Sequence, residues 1–195
     1  MPGLVQRLQG RLESLPDGLQ AHIYRVRDVA MELANRHSID PERAELGALA
    51  HDVCRAVPGG DLLRMSSEMG VDVSEVEQDF PLLLHGPVGA ELLRREEGLT
   101  GHGLYEAIRW HSTAHPSLDS LGKLVFLADK LDPQKIRHYP NRQRLKELAL
   151  RDLYGATREY LTQELTRYAS KGGLIHPASV EARNELLLRL RASPP

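Results

Sequence analysis

The sequence predicts an all-α fold, a single helical bundle closed over a buried cluster of ionisable side chains. Three observations lead there. Apolar residues recur at helical rather than alternating spacing along most of the chain. Aromatic residues, which favour strands, make up only 5% of the 195 residues, and no convincing strand pair is visible. Histidines and aspartates fall on the apolar stripes of several of these helices, where an ionisable side chain needs a compensating partner.

The first helix is expected over Leu4 to Leu15, stopped near Pro16, and the second from about Leu19 to His37. In the second, His22, Val26, Val29 and Leu33 share one face, so His22 points toward the core. Asp40 followed by Pro41 reads as an N-cap with proline at the first helical position, opening a third helix that runs through AELGALAHDV. Small and apolar residues on nearly all its sides make it central. Gly59 and Gly60 interrupt, LLRMSSEM forms a short helix ending at Gly70, and VDVSEVEQDFP reads as an irregular connection.

Pro87 sits where a first turn would start, so GPVGAELLRREE is a helix closed by Gly98, with His85 just before it. LYEAIRWHS places Leu104, Ile108 and His111 on one face. Ser120 to Leu131 aligns Leu121, Val125, Ala128 and Asp129, with Pro133 beyond the end. Two further helices, Asn141 to Ser170 with a break near Leu153 and Ser179 to Leu190, flank SKGGLIHP. The expected organisation is an N-terminal helix and lead-in over 1–18, a core over 19–138, and C-terminal helices over 139–195 packing on the same domain.

Lys plus Arg number 25 against 27 Asp plus Glu, a net charge of -2, so no global field gathers polyanions and nucleic acid is not an expected partner. A phosphate ligand would have to be held locally. Cys54 is the only cysteine, which fits a reducing compartment. The N-terminal stretch lacks the apolar segment of a secretory signal, and runs such as LGALA and LVFLA are far too short for a membrane span. A cytoplasmic chain without membrane contact is expected.

Four inward-facing histidines and two aspartates call for a common explanation, and a metal centre supplies one. Neutral imidazole and carboxylate are donors for iron, manganese, zinc and similar ions, and a carboxylate can bridge two cations. The donors in order are His22, His51 with Asp52, His85, His111 and Asp129. Adjacent residues on a helix diverge by about 100°, so His51 and Asp52 flank one site rather than stack. Asp52 then suits a bridge, and His51 a ligand to a single ion.

This ordered series resembles the HD-domain superfamily of metal-dependent phosphohydrolases. HGPVGAELLRREEG, EAIRWHST, LGKLVFLADKLDP and LIHPASVEARN are similar to its YqeK-type branch, the symmetrical bis(5'-nucleosyl)-tetraphosphatases, over about residues 19 to 190. The His-Asp dipeptide alone is a weak signal; the ordered donors with their contexts are a specific one. The resemblance implies an all-α HD domain with a buried binuclear metal site, both ions expected to be iron, with manganese or another transition metal as the alternative. His22, His51, Asp52 and Asp129 would hold one ion, and Asp52, His85 and His111 the other. It implies cleavage of diadenosine tetraphosphate to two ADP by a hydroxide activated between the ions, with Asp52 as the catalytic bridge that positions it. The implied partner is a small dinucleotide, and a homodimer is compatible with the pattern without being derivable from it.

Substrate contacts are expected at Arg55, where the family usually has lysine, at Ser112, and at Lys135, which stands for a family arginine after Asp132 and Pro133. SKGGLIHP would fold over the nucleotide, with Gly172 and Gly173 letting backbone approach and His176 free to stack or hydrogen-bond. Ala114 and His115 depart from the family's glycine and arginine. Among the remaining residues, His37, His102, His115 and His138 read as surface histidines and Cys54 as a buried hydrophobe. Lys123 reads as a phosphate contact or a surface lysine, and LLRREEG as a solvated helix face. Two alternatives remain: an HD-domain hydrolase of another nucleotide or phosphate ester, and a catalytically silent nucleotide-binding scaffold, which would bind without turnover.

Overall fold

The computed structural model describes residues 2–138 and 141–192, and the described residues form helices, turns and loops with no strand. The helices are α1 (Pro2–Glu13), α2 (Asp17–His37), α3 (Pro41–Ala50), α4 (Gly59–Met69), α5 (Glu75–Asp79), α6 (His85–Glu96), α7 (His102–Arg109), α8 (Ser120–Lys130), α9 (Pro133–His138), α10 (Asn141–Ala149), α11 (Leu153–Ser170) and α12 (Pro177–Ala192), with a 3-10 turn at Pro81–Leu84 before α6.

Local chemistry sets most of these ends. Asp40, Asp119 and Asp152 each accept a backbone N–H of the first turn of α3, α8 and α11, which satisfies donors the helix cannot pair itself. Gly70 ends α4 at φ 64, a left-handed conformation that costs glycine nothing. Helix α3 is the hub, packing against α2, α7 and α8. It approaches α8 so closely that a Cβ on Gly47 would lie 2.8 Å from Val125. Helix α11 packs on α8, and α12 on α11. Among the described residues no helix is long and apolar enough to cross a membrane.

The structure departs from the sequence reading in several places. Helix α3 stops at Ala50, and residues 51–56 are turns, with Arg55 N–H donating to Asp52 O at 2.9 Å. His51 and Asp52 therefore sit just past the helix, not within it. Gly59 and Gly60 begin α4 rather than interrupt the chain. The stretch read as irregular holds α5, opened by a capping box in which Ser74 and Glu77 satisfy each other's backbone N–H. His85 is the first residue of α6, His111 lies in the turn after α7, and α9 was not expected.

The side-chain expectations divide similarly. His37 is partly buried and bonds Ala149 O at 2.6 Å, tying α2 to α10. His102 is exposed, and the side chain of His138 lies outside those described. Cys54 is buried. Lys123 is neither a phosphate contact nor a surface lysine. It is buried, donates to Leu118 O and lies 4.7 Å from the Tyr154 ring centre. LLRREEG is more than a solvated face: Glu97 and Glu96 pair with Arg7 and Arg11, joining α1 to the end of α6.

Candidate metal centre

Five elements converge on one point: α2 with His22, the turn after α3 with His51 and Asp52, the start of α6 with His85, the turn after α7 with His111, and the last turn of α8 with Asp129. Helices α3, α7 and α8 all deliver their C-terminal ends there, and the partial negative charge of those ends favours cations. His51 is 0%, His111 1%, Asp52 5%, His85 5% and Asp129 8% exposed.

In each of the four histidines Nδ1 is already committed. His51 Nδ1 donates to Ala48 O at 2.6 Å, His111 Nδ1 to Ile108 O at 2.8 Å, and His85 Nδ1 to Leu82 O, all three residues back in the chain. His22 Nδ1 donates to Asp132 Oδ2 at 2.7 Å. A carbonyl oxygen can only accept, and so can the Asp132 carboxylate, whose pKa is lowered to about 2, so these contacts place the proton on Nδ1 and turn the Nε2 lone pairs inward.

There the lone pairs meet. His85 Nε2 and His111 Nε2 are 2.9 Å apart, a repulsive arrangement for two neutral rings unless a cation lies against both. Among the described residues His51 Nε2 is buried with no hydrogen-bond partner; Asp52 Oδ2 is 3.4 Å away. Asp52 faces both groups with different oxygens. Its Oδ1 is 3.0 Å from His85 Nε2 and 3.4 Å from His111 Nε2, and its Oδ2 lies toward His51 and toward His22 Nε2 at 3.6 Å. His22 Nε2 is also 3.1 Å from Asp129 Oδ1. Two overlapping sets have donor atoms close enough to share an ion: His22, His51 and Asp129, and His51, Asp52 and His111. The inward-facing imidazole nitrogens, that of His51 without a partner among the described residues, and the split carboxylate fit metal ions.

The electrostatics agree. Burial raises the Asp52 carboxyl, but the His51, His111 and His85 rings packed around it outweigh burial and hold it well below the usual carboxylate range. Burial likewise raises Asp129, and the ammonium groups of Lys130 and Lys135 with His22 bring it well below that range. Burial drives His111 down to about 4, so this ring is a neutral donor at pH 7.

A cavity of about 760 Å³ opens over the cluster, lined by Arg55, Ser112, Lys130, Lys135 and Arg142 together with His22, Asp52, His85, His111 and Asp129. Arg55 is exposed at its wall with no ion-pair partner among the described residues. Ser112 Oγ is 3.4 Å from His85 Nε2 and 3.2 Å from His111 Nε2. Lys135 turns inward, with Nζ 2.6 Å from Asp129 Oδ1. A second cavity of about 280 Å³ adjoins it, sharing Phe80, Leu83, Ser112, Tyr160 and Tyr168, and is walled by Gly173 and His176.

His176 is less free than expected. Its Nδ1 accepts from Ala178 N at 3.2 Å, while Nε2 lies 3.5 Å from Ser74 Oγ and 3.6 Å from Glu77 Oε1. It pins the 171–176 loop to α5. Gly172 takes the left-handed turn at φ 67, and a Cβ on Gly173 would press to 3.3 Å from the Tyr168 ring. His115 stacks on Trp110 at 4.5 Å. Sequence reasoning missed Arg25, Lys130 and Asp132. Lys130 Nζ reaches Asp129 Oδ2 at 2.6 Å and His111 O at 2.8 Å, a link between distant segments that only the fold reveals.

With this geometry in place, residues 19–134 match the HD domain family, and the chain belongs to that family. It is 32% identical over 173 residues to the symmetrical bis(5'-nucleosyl)-tetraphosphatase of Halalkalibacterium halodurans, covering 86% of this chain and 88% of the relative. It is 27% identical to the Bacillus subtilis protein of the same name, covering 90% and 92%. Its fold superposes with a TM-score of 0.89 on a predicted HD superfamily hydrolase involved in NAD metabolism from Clostridium acetobutylicum, at 27% identity and covering 95% of this chain and 97% of that one.

Proposed function

We propose that this chain is a cytoplasmic, metal-dependent symmetrical bis(5'-nucleosyl)-tetraphosphatase that hydrolyses diadenosine tetraphosphate to two ADP. The observation that carries the reading is the division of Asp52, with Oδ1 toward His85 and His111 and Oδ2 toward His22 and His51. His22, His51, Asp52 and Asp129 would hold one ion, and Asp52, His85 and His111 the other, with iron the leading candidate. Bound there, two cations would supply charge neutralisation on the phosphates and a water acidic enough to act as nucleophile near neutral pH.

The chain's own residues do the rest. Symmetrical cleavage breaks the central P–O–P bridge, so the middle of a strongly anionic chain must lie over the donors. Arg55, Lys135 and Arg142 on the cavity wall match that charge. Ser112 stands beside His85 and His111 to hydrogen-bond an equatorial oxygen. The adjoining apolar cavity suits a base, which Tyr160, Tyr168 and Phe80 border and the loop carrying Gly172, Gly173 and His176 closes. Water is thereby kept from one flank of the reacting phosphates.

The test is product identification. Metal-loaded protein incubated with diadenosine tetraphosphate should release ADP as the sole nucleotide product. AMP with ATP, or inertness toward it while another nucleotide is consumed, would sink the assignment. Tight binding without turnover under anaerobic iron or manganese supply would identify a silent scaffold instead.

A further inference from the structure

Three of the four histidines at the site take their orientation from the backbone, each giving its Nδ1 proton to a carbonyl three residues earlier. His22 is different. Its Nδ1 partner is a side chain 110 residues away, Asp132 Oδ2 at 2.7 Å, contributed by the connection between α8 and α9. That carboxylate is 2% exposed and fully engaged. Arg25, one turn beyond His22 on α2, grips both oxygens through Nε at 2.8 Å and Nη2 at 2.9 Å, and Gln134 N–H donates to Oδ1 at 3.0 Å.

We propose that Asp132 and Arg25 act as a positioning pair that fixes the tautomer and ring plane of His22 and so controls retention of the ion shared by His22, His51 and Asp129. The proposal rests on the two-ion reading above. A carboxylate on Nδ1–H increases the electron density at Nε2, which faces Asp129 Oδ1 at 3.1 Å. Arg25 locks that carboxylate in a planar, two-point contact that a point charge would not reproduce. The pair also couples α2 to the end of α8, so His22 and Asp129 keep their spacing as one unit. Neither residue touches the His85 and His111 half of the site, and the effect should therefore fall on one ion.

The experiment is a metal titration of chelator-stripped protein with iron(II) under anaerobic conditions, comparing wild type with Asp132→Asn, Asp132→Glu and Arg25→Met. Asn keeps the shape and removes the charge. The expected result is two ions in the wild type, and in Asp132→Asn one ion at unchanged affinity and one about 10- to 100-fold weaker. Asp132→Glu should recover part of the loss, and Arg25→Met should shift the same ion by less, with far-UV circular dichroism unchanged throughout. Two ions bound by Asp132→Asn as in wild type would overturn the proposal, and so would equal weakening of both, since that marks a merely structural residue. A wild-type chain that takes up fewer than two ions removes the two-ion reading itself, and is recognised without any variant.

Discussion

Gly86, the residue after His85, lies on helix α6 directly against the end of α7, and replacing it with alanine should damage fold and metal site together. A Cβ there would lie 2.7 Å from Arg109 O, 3.2 Å from Ile108 O and 3.3 Å from His111 Cε1. The first two are backbone atoms and cannot rotate away. Carbon–oxygen contacts become comfortable at about 3.3 Å, so α6 and α7 must part by about 0.6 Å. Ile108 O is also the acceptor that orients His111, and His85 is the neighbour of the new methyl. Overpacking of this kind costs about 1–3 kcal/mol, and a domain of this size loses roughly 2–4 °C per kcal/mol. Thermal denaturation of chelator-stripped Gly86→Ala should therefore show a midpoint lower by roughly 2–12 °C. Metal affinity should fall as well, because binding geometry tolerates only about 0.5 Å of displacement. Gly60→Ala is the control, since its Cβ would meet nothing within 4 Å; it should be neutral or stabilising. A Gly86→Ala chain with wild-type midpoint and wild-type metal affinity would refute the close-approach reasoning.

Other perturbations give distinct outcomes. Asp52→Ala removes the carboxylate that faces both donor sets, so metal analysis should find both ions lost and turnover abolished; a variant retaining full activity would contradict the bridging role. Burial pushes the Cys54 thiol up to about 11, leaving about one thiolate in a thousand at pH 8, so iodoacetamide should leave the native chain unlabelled and label it once unfolded. Rapid stoichiometric labelling of native protein would show that the thiol is not buried as described. The Arg94 hydrogen bond, with help from Arg95, lowers the Glu91 carboxyl to about 2. Its folded pKa is depressed, so its stabilisation is present above about pH 4.5 and is lost as pH falls toward 2. Denaturant titrations of Glu91→Gln should therefore show a shallower loss of stability across that window than wild type, and identical slopes would exclude the contribution.

The all-α architecture was legible because helical periodicity and caps such as Asp40 are local signals. The inward phase of His22 and Asp129 followed from the same periodicity. His51 and His111 illustrate its limit. Both were placed on helices and in fact lie in the turns just past α3 and α7, where backbone carbonyls three residues back orient them. The capping box of Ser74 and Glu77 was also local, an S-x-x-E pattern ahead of α5, obscured by the acidic composition around it. Asp132 and Arg25 could not be read as a pair, because their meeting depends on α2 lying beside the end of α8. Lys123 shows the reverse error: its charge suggested surface or substrate, while the whole side chain is buried, its ammonium lying over the Tyr154 ring and donating to Leu118 O.

A bridging Asp52 requires that the cluster around it hold two ions. Chelator-stripped wild-type chain, titrated anaerobically with iron(II) and assayed for bound metal after gel filtration, should saturate at two ions per chain. Saturation at a single ion, or no retained metal, would contradict it.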